Sequence, residues 1–142
     1  MDYGDKVCEE AMTWLSTPYV PRGYVKGVGA DCGTLLHASY GTVFELAPMP
    51  TDYPVDWAAH SQRERYLEFI MPYVKECTKP KRGDFTLFHL AQAYSHAAIY
   101  LGDGNYIHAW GRKDAGCVLI TPARVLYALT SADHPMKHFE PR

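Results

Sequence analysis

Three features are missing from this chain, and each absence removes a class of function. No apolar run approaches the roughly 20 residues that span a bilayer, so no membrane span is expected. Charge of one sign is not in excess: 14 Lys and Arg stand against 16 Asp and Glu, a formal net charge of −2. That balance gives no electrostatic footprint for a nucleic-acid partner. Closely spaced cysteines are absent too. The four that occur, Cys8, Cys32, Cys77 and Cys117, include no C-x-x-C pair, so they do not read as a disulfide framework. The opening residues, MDYGDKVCEEAMTWL, are acidic where a secretory signal is basic and lack its uninterrupted apolar core. The expectation is a protein made in the cytoplasm without a signal peptide.

What is present is a globular composition. The chain has 142 residues, 47% of them apolar, which suits one domain over 1–142 that buries about two thirds of its unfolded surface. Apolar residues at Tyr3, Val7, Ala11, Trp14 and Leu15 form the stripe of an amphipathic helix, with Asp2 as N-cap and Thr17-Pro18 closing it. The run from Pro18 to Gly29, PYVPRGYVKGVG, reads as a surface loop. A second helix opens at Asp31, another good N-cap, and carries Leu35, Leu36, Tyr40, Val43 and Phe44 at helical spacing. Ala47 to Trp57 holds three prolines and reads as an ordered loop. A third helix is expected from His60 to about Ile70, and KPKRG ends the helical half. Short strands follow at Phe85–Leu90, Ser95–Leu101, Asn105–Trp110, Val118–Thr121 and Lys137–Phe139, separated by turn signals such as Gly102-Asp103-Gly104. Helices first and strands second is the order of an α+β domain, with helices packed on an antiparallel sheet of about five strands.

Within that plan Cys32 is unlike the other cysteines. It falls in the first turn of the second helix, where unpaired N–H groups and the positive end of the macrodipole favour thiolate over thiol. Gly27, Gly29 and Gly33 surround it, which clears side chains for a substrate backbone. A nucleophile needs a base. Of seven histidines, His37, His60, His134 and His138 sit in positions that suit solvated or singly hydrogen-bonded side chains, whereas His96 and His108 lie in strands joined by one tight turn. A two-residue turn at Asp103-Gly104 would place the two on opposite faces. A three-residue loop, Gly102-Asp103-Gly104, pairs Leu101 with Asn105 and sets His108 opposite Ala98, diagonal to His96. The three-residue loop is the expectation. Cys32 then attacks a carbonyl, His96 takes and returns the proton, and His108 orients His96. The oxyanion would meet the backbone N–H of Cys32 and the hydroxyl of Tyr19. No cofactor is called for.

Assembled, these residues resemble the NlpC-type cell-wall cysteine peptidases. The matching pieces are Pro18-Tyr19 before a Gly-rich loop, Asp31-Cys32-Gly33, Arg82-Gly83-Asp84-Phe85, and Ser95-His96-Ala97-Ala98-Ile99-Tyr100-Leu101-Gly102 followed by Tyr106-Ile107-His108-Ala109. The resemblance implies a papain-like core, Cys32 as nucleophile, His96 as base and His108 as third member, with Tyr19, Asp31 and Ser95 shaping the substrate pocket. It further implies that the substrate is the stem peptide of peptidoglycan, cut between D-γ-glutamate and the diamino acid. The chain departs from the family in reading Asp-Cys-Gly-Thr where Asp-Cys-Ser-Gly is usual, and in a long aromatic segment from Leu46 to Lys81 that stands where it would cover or narrow the cleft. These traits are similar to short variants from phage tails and gene-transfer particles, which implies tail-tip or baseplate partners and delivery to the periplasm or cell wall. Three alternatives stay open: zinc held by Cys32, His96 and His108, a catalytically silent tail protein of the same fold, and an amidase or acyltransferase using the same Cys-His site.

Overall fold

The computed structural model describes residues 1–49, 65–111 and 116–142. Helix α1 (Tyr3–Met12) starts where Asp2 caps it, its carboxylate accepting from the Asp5 N–H at 2.9 Å. It ends earlier than the apolar stripe suggested. Thr13 caps its C-terminus and Ser16 turns the chain at a φ of 69°, so Trp14 still reaches the core while Leu15 is left exposed. The glycine-rich loop contains a small hairpin of β1 (Tyr24–Val25) and β2 (Gly29–Ala30). Helix α2 (Cys32–Tyr40) and helix α3 (Arg65–Ile70) follow. The expected start of the third helix at His60, and most of the proline-rich loop, lie outside the described residues.

Strands β3 (Val74–Cys77), β4 (Phe85–Leu90), β5 (Ala93–Gly102), β6 (Asn105–Trp110), β7 (Cys117–Pro122) and β8 (Lys137–Pro141) form a six-stranded antiparallel sheet in the order β3-β8-β4-β5-β6-β7. Six replaces the expected five because Val74–Cys77, ahead of KPKRG, pairs with the C-terminal strand. A run of four residues with a single buried one, Val74, carries too little alternation to be read as an edge strand. A short helix, α4 (Ala123–Tyr127), links β7 to β8.

The architecture is α+β. Alternation along the strands sorts the side chains into two layers. Phe85, Leu87, Ala97, Ile99, Ile107 and Ala109 join Val7, Ala11, Leu35, Leu36 and Tyr40 of α1 and α2 in the main core. Phe88, Ala98 and Tyr106 form a smaller cluster with Leu126 of α4 on the other face. Each fully buried Phe or Leu is worth about 1.5–3 kcal/mol relative to exposure, so the main layer dominates stability.

Helix α1 docks through backbone contact. A Cβ on Gly4 would lie 2.4 Å from the Arg82 carbonyl oxygen, and one on Gly83, whose φ is +94°, would lie 2.4 Å from Gly4 Cα. That close approach lets the Tyr3 hydroxyl donate to the fully buried Asp84 carboxylate at 2.6 Å, which also accepts from the Lys81 N–H at 2.7 Å. Asp84, Cys77 and Glu140 cluster here, and the Lys81 ammonium lies 2.7 Å from Glu140 and 3.6 Å from Asp84, supplying the positive charge. Gly83→Ala combines a left-handed backbone with a backbone clash. It is expected to cost about 2 kcal/mol or more and to lower Tm by several degrees. Thermal unfolding of this variant checks it; an unchanged Tm would refute the close docking.

Candidate active site

Asp31 fixes where the second helix begins. One carboxylate oxygen accepts from the Thr34 N–H at 2.8 Å, and Thr34 Oγ1 accepts from the Asp31 N–H at 2.9 Å, a reciprocal capping box. Such a cap is worth about 1 kcal/mol. The other carboxylate oxygen accepts from the Arg22 N–H at 2.7 Å and ties the glycine-rich loop to the helix start. Cys32 is therefore the first residue of α2, as expected, and is buried. Its Sγ donates to the Ser95 carbonyl oxygen at 3.6 Å. Two of the surrounding glycines serve other ends than clearing the sulfur: Gly27 takes a φ of +81° in the β1–β2 turn, and a Cβ on Gly29 would strike Val20 at 2.8 Å.

Ser95 is the extra residue of a β-bulge. Phe88 pairs with His96, but His89 pairs with Tyr94, so Ser95 has no partner across β4. A bulge bends a strand and re-aims its side chains. The Ser95 hydroxyl bonds the Leu90 carbonyl at 3.0 Å, which closes the irregular end of the hairpin. The sulfur thus rests against the peptide unit that leads into His96.

His96 and His108 meet directly. His96 Nε2 and His108 Nδ1 are 2.9 Å apart, with both side chains buried and the rings edge-to-face. The expected hairpin register is present, but a different turn produces it. Asp103 and Gly104, both at positive φ, form a two-residue turn that pairs Gly102 with Asn105, and a bulge between Tyr100 and Gly102 then restores the pairing of Tyr100 with Tyr106 and Ile99 with Ile107. One more step along that register sets His108 beside Ala98. The bulge does what the third loop residue was expected to do.

Further groups enclose the pair. Trp110 lies edge-to-face on both imidazoles, 4.8 Å from His96 and 5.6 Å from His108, and Phe88 lies 6.1 Å from His96. Thr121 Oγ1 is 2.8 Å from His108 Nε2. The sequence sets Trp110 on the His108 face without giving it a role, and Thr121 was passed over. Trp110 was within reach, being two residues beyond His108 on the same face. The β6–β7 register that brings up Thr121 is not fixed by the sequence of the connection from Gly111 to Gly116. Tyr19 N–H donates to the Gly116 carbonyl at 2.9 Å, and its ring packs so closely on Gly111 that a Cβ there would lie 2.9 Å from it. Burial, then the neighbouring Cys32 and Asp31, push its phenol pKa up, so Tyr19 keeps its proton and can donate. His37, expected to make at most one bond, makes two: the Tyr24 hydroxyl donates to Nδ1 at 2.6 Å and Nε2 meets the Ala47 carbonyl at 2.8 Å.

The zinc alternative does not suit this arrangement. His108 has one nitrogen on His96 and the other on Thr121, which leaves it no lone pair for a metal.

The family profile of NlpC/P60 matches residues 16–122, and the chain belongs to the NlpC/P60 family. Among solved structures it is similar to the NlpC/p60 domain of the peptidoglycan hydrolase SagA, at 20% identity and a TM-score of 0.58, covering 94% of this chain and 96% of that one. RipD of Mycobacterium tuberculosis, a non-catalytic NlpC/p60 domain protein adapted to peptidoglycan binding, is similar at 16% identity and a TM-score of 0.60, covering 99% and 98%. The peptidoglycan hydrolase RipB of Mycobacterium tuberculosis is similar at 20% identity and a TM-score of 0.57, covering 97% of this chain and 64% of that one. No curated protein matches the chain in sequence.

Burial holds His96 down to about 3, with His108 adding to the effect, and burial alone holds His108 down to about 4. Both are neutral at pH 7. An unfolded histidine titrates near 6.5, so between about pH 3 and 6.5 the unfolded chain binds protons that the folded chain does not. The stability the two groups permit is full above that window and is lost as pH falls through it. Urea midpoints at about pH 7.5 and about pH 5 should therefore differ, and the double substitution His96→Gln, His108→Gln should flatten the difference. An unflattened profile would refute the depressed values.

Proposed function

We propose that this chain is a cysteine peptidase that hydrolyses the stem peptide of peptidoglycan. One arrangement supports the reading: the Cys32 sulfur sits at the start of α2, 3.6 Å from the carbonyl of Ser95, the residue that precedes His96 of a buried His96–His108 pair. The Cys32 thiol passes its proton to His96 Nδ1, the ring nitrogen not engaged by His108, as sulfur attacks the carbonyl carbon. The tetrahedral oxyanion is met by the Cys32 N–H and the Tyr19 hydroxyl. On collapse the C–N bond breaks and His96 returns the proton to the leaving amine, giving a thioester. Water, deprotonated by His96, then hydrolyses the thioester and restores the thiol. Because both imidazoles start neutral, His96 acts as a general base and not as the cation of a standing ion pair.

Asp31 shapes the pocket through the helix start it caps, and Ser95 through the carbonyl it presents to the sulfur. At finer grain, the bond cut joins D-γ-glutamate to the diamino acid that follows. The single domain rides in a phage-like tail, contacts tail-tip or baseplate proteins, and opens the wall on reaching the periplasm. Support for the bond and the tail is the resemblance of the motifs. The fold likeness to RipD favours one competing reading, a domain that binds peptidoglycan without cutting it.

Incubation with muropeptides and mass spectrometry of the products separates these readings. Wild type should release a new amine at the diamino acid, and Cys32→Ala should release none. His96→Ala should lose about 10²–10⁴ in rate and His108→Ala less, since orienting a base matters less than being it. Activity surviving in Cys32→Ala would overturn the mechanism, and an amine elsewhere would overturn the bond. A wild type that binds muropeptides and leaves them intact would establish the binding role instead.

A further inference from the structure

The polar chain that begins at His96 ends on β7. Thr121 Oγ1 is 2.8 Å from His108 Nε2, and His108 Nδ1 is 2.9 Å from His96 Nε2. Each distance alone suits donation in either direction, because a neutral imidazole carries its proton on one nitrogen or the other. A requirement at the far end selects one direction. With Nε2 of His96 turned to His108, only Nδ1 is left to accept a thiol proton, and to accept it must be bare. His96 then carries its proton on Nε2 and donates to His108 Nδ1. His108 in turn carries its proton on Nε2 and donates to Thr121, whose hydroxyl oxygen accepts. The opposite polarity would put a proton on His96 Nδ1 and leave that ring no bare nitrogen to take the thiol proton.

We propose that Thr121 is a positioning residue: by accepting from His108 Nε2–H it fixes the tautomer of His108, and through His108 it holds the bare Nδ1 of His96 available to Cys32. The inference rests on the assignment of Cys32 and His96 as thiol and base. Thr121 is placed for this work by register. It pairs with Tyr106, two residues from His108 on the same face of β6, so its hydroxyl reaches the imidazole diagonally across the ladder. Its side chain is only partly buried, which lets its own proton go to water while the oxygen stays with His108. Valine would suit the strand equally well; the hydroxyl is what the imidazole uses. Trp110 lies edge-to-face on both rings and packs the pair from one side.

Nitrogen NMR of histidine-labelled protein together with kinetics on muropeptides tests the proposal. In wild type, His108 should carry its proton on Nε2 and His96 on Nε2. In Thr121→Val the His108 signals should shift to the other tautomer or to a mixture, with kcat lowered about ten- to a hundredfold and KM little changed. Thr121→Ser keeps the acceptor and should recover both the signature and most of the rate. Wild-type His108 protonated on Nδ1 would overturn the proposal. So would a Thr121→Val protein with wild-type tautomers and kcat. If instead Cys32→Ala stays active, the thiol mechanism falls by itself, and the tautomer measurements on wild type and Thr121→Val still decide what Thr121 does.

Discussion

Two imidazoles on neighbouring strands share a hydrogen bond only if the strands are in one particular register, since a slip by one residue sends one ring to the opposite face. Here the bond between His96 and His108, at 2.9 Å, rests on the bulge between Tyr100 and Gly102. Without that extra residue, the tight turn at Asp103-Gly104 would turn His108 toward α1 and α2 and leave His96 without its partner. The site therefore depends on a defect in the ladder more than on any single contact. A second bulge, at Ser95, finishes the arrangement from the other side by bringing a carbonyl to the Cys32 sulfur.

The sulfur is placed by different means. Asp31 uses one oxygen to start the helix and the other to hold Arg22, so the loop that leads in and the helix that leads out share one carboxylate. The imidazoles are buried against the rings of Phe88 and Trp110, whereas the helix start is held by a carboxylate. That contrast is what neutral, low-pKa histidines require, since burial disfavours the cation.

Much of this was legible in the sequence. Asp2 and Asp31 mark both helix starts because short polar caps at the head of a 3.6-residue stripe are local signals, and Cys32, His96 and His108 stand out by residue type and spacing. The α+β order follows from the periodicity of the two halves. What escaped was non-local. Strand β3 is defined by its partner at the opposite end of the chain, and Thr121 by the β6–β7 register, which the pairing itself sets. The turn itself was misjudged because Gly102 permits both a loop position and a bulge, and both choices lead to the same pairing farther along.

The stretch from Ser16 to Tyr19 lies along β7: Ser16 N–H reaches the Val118 carbonyl, Val118 N–H the Thr17 carbonyl, and Tyr19 N–H the Gly116 carbonyl, at 2.9 Å each. An otherwise open sheet border is thereby capped and shielded from edge-to-edge association. It also means that the Tyr19 ring, packed on Gly111, and the Thr121 hydroxyl, bonded to His108, hang from one shared rail. A disturbance that peels that border away would displace the Tyr19 ring and the Thr121 hydroxyl together, as one locally opening unit.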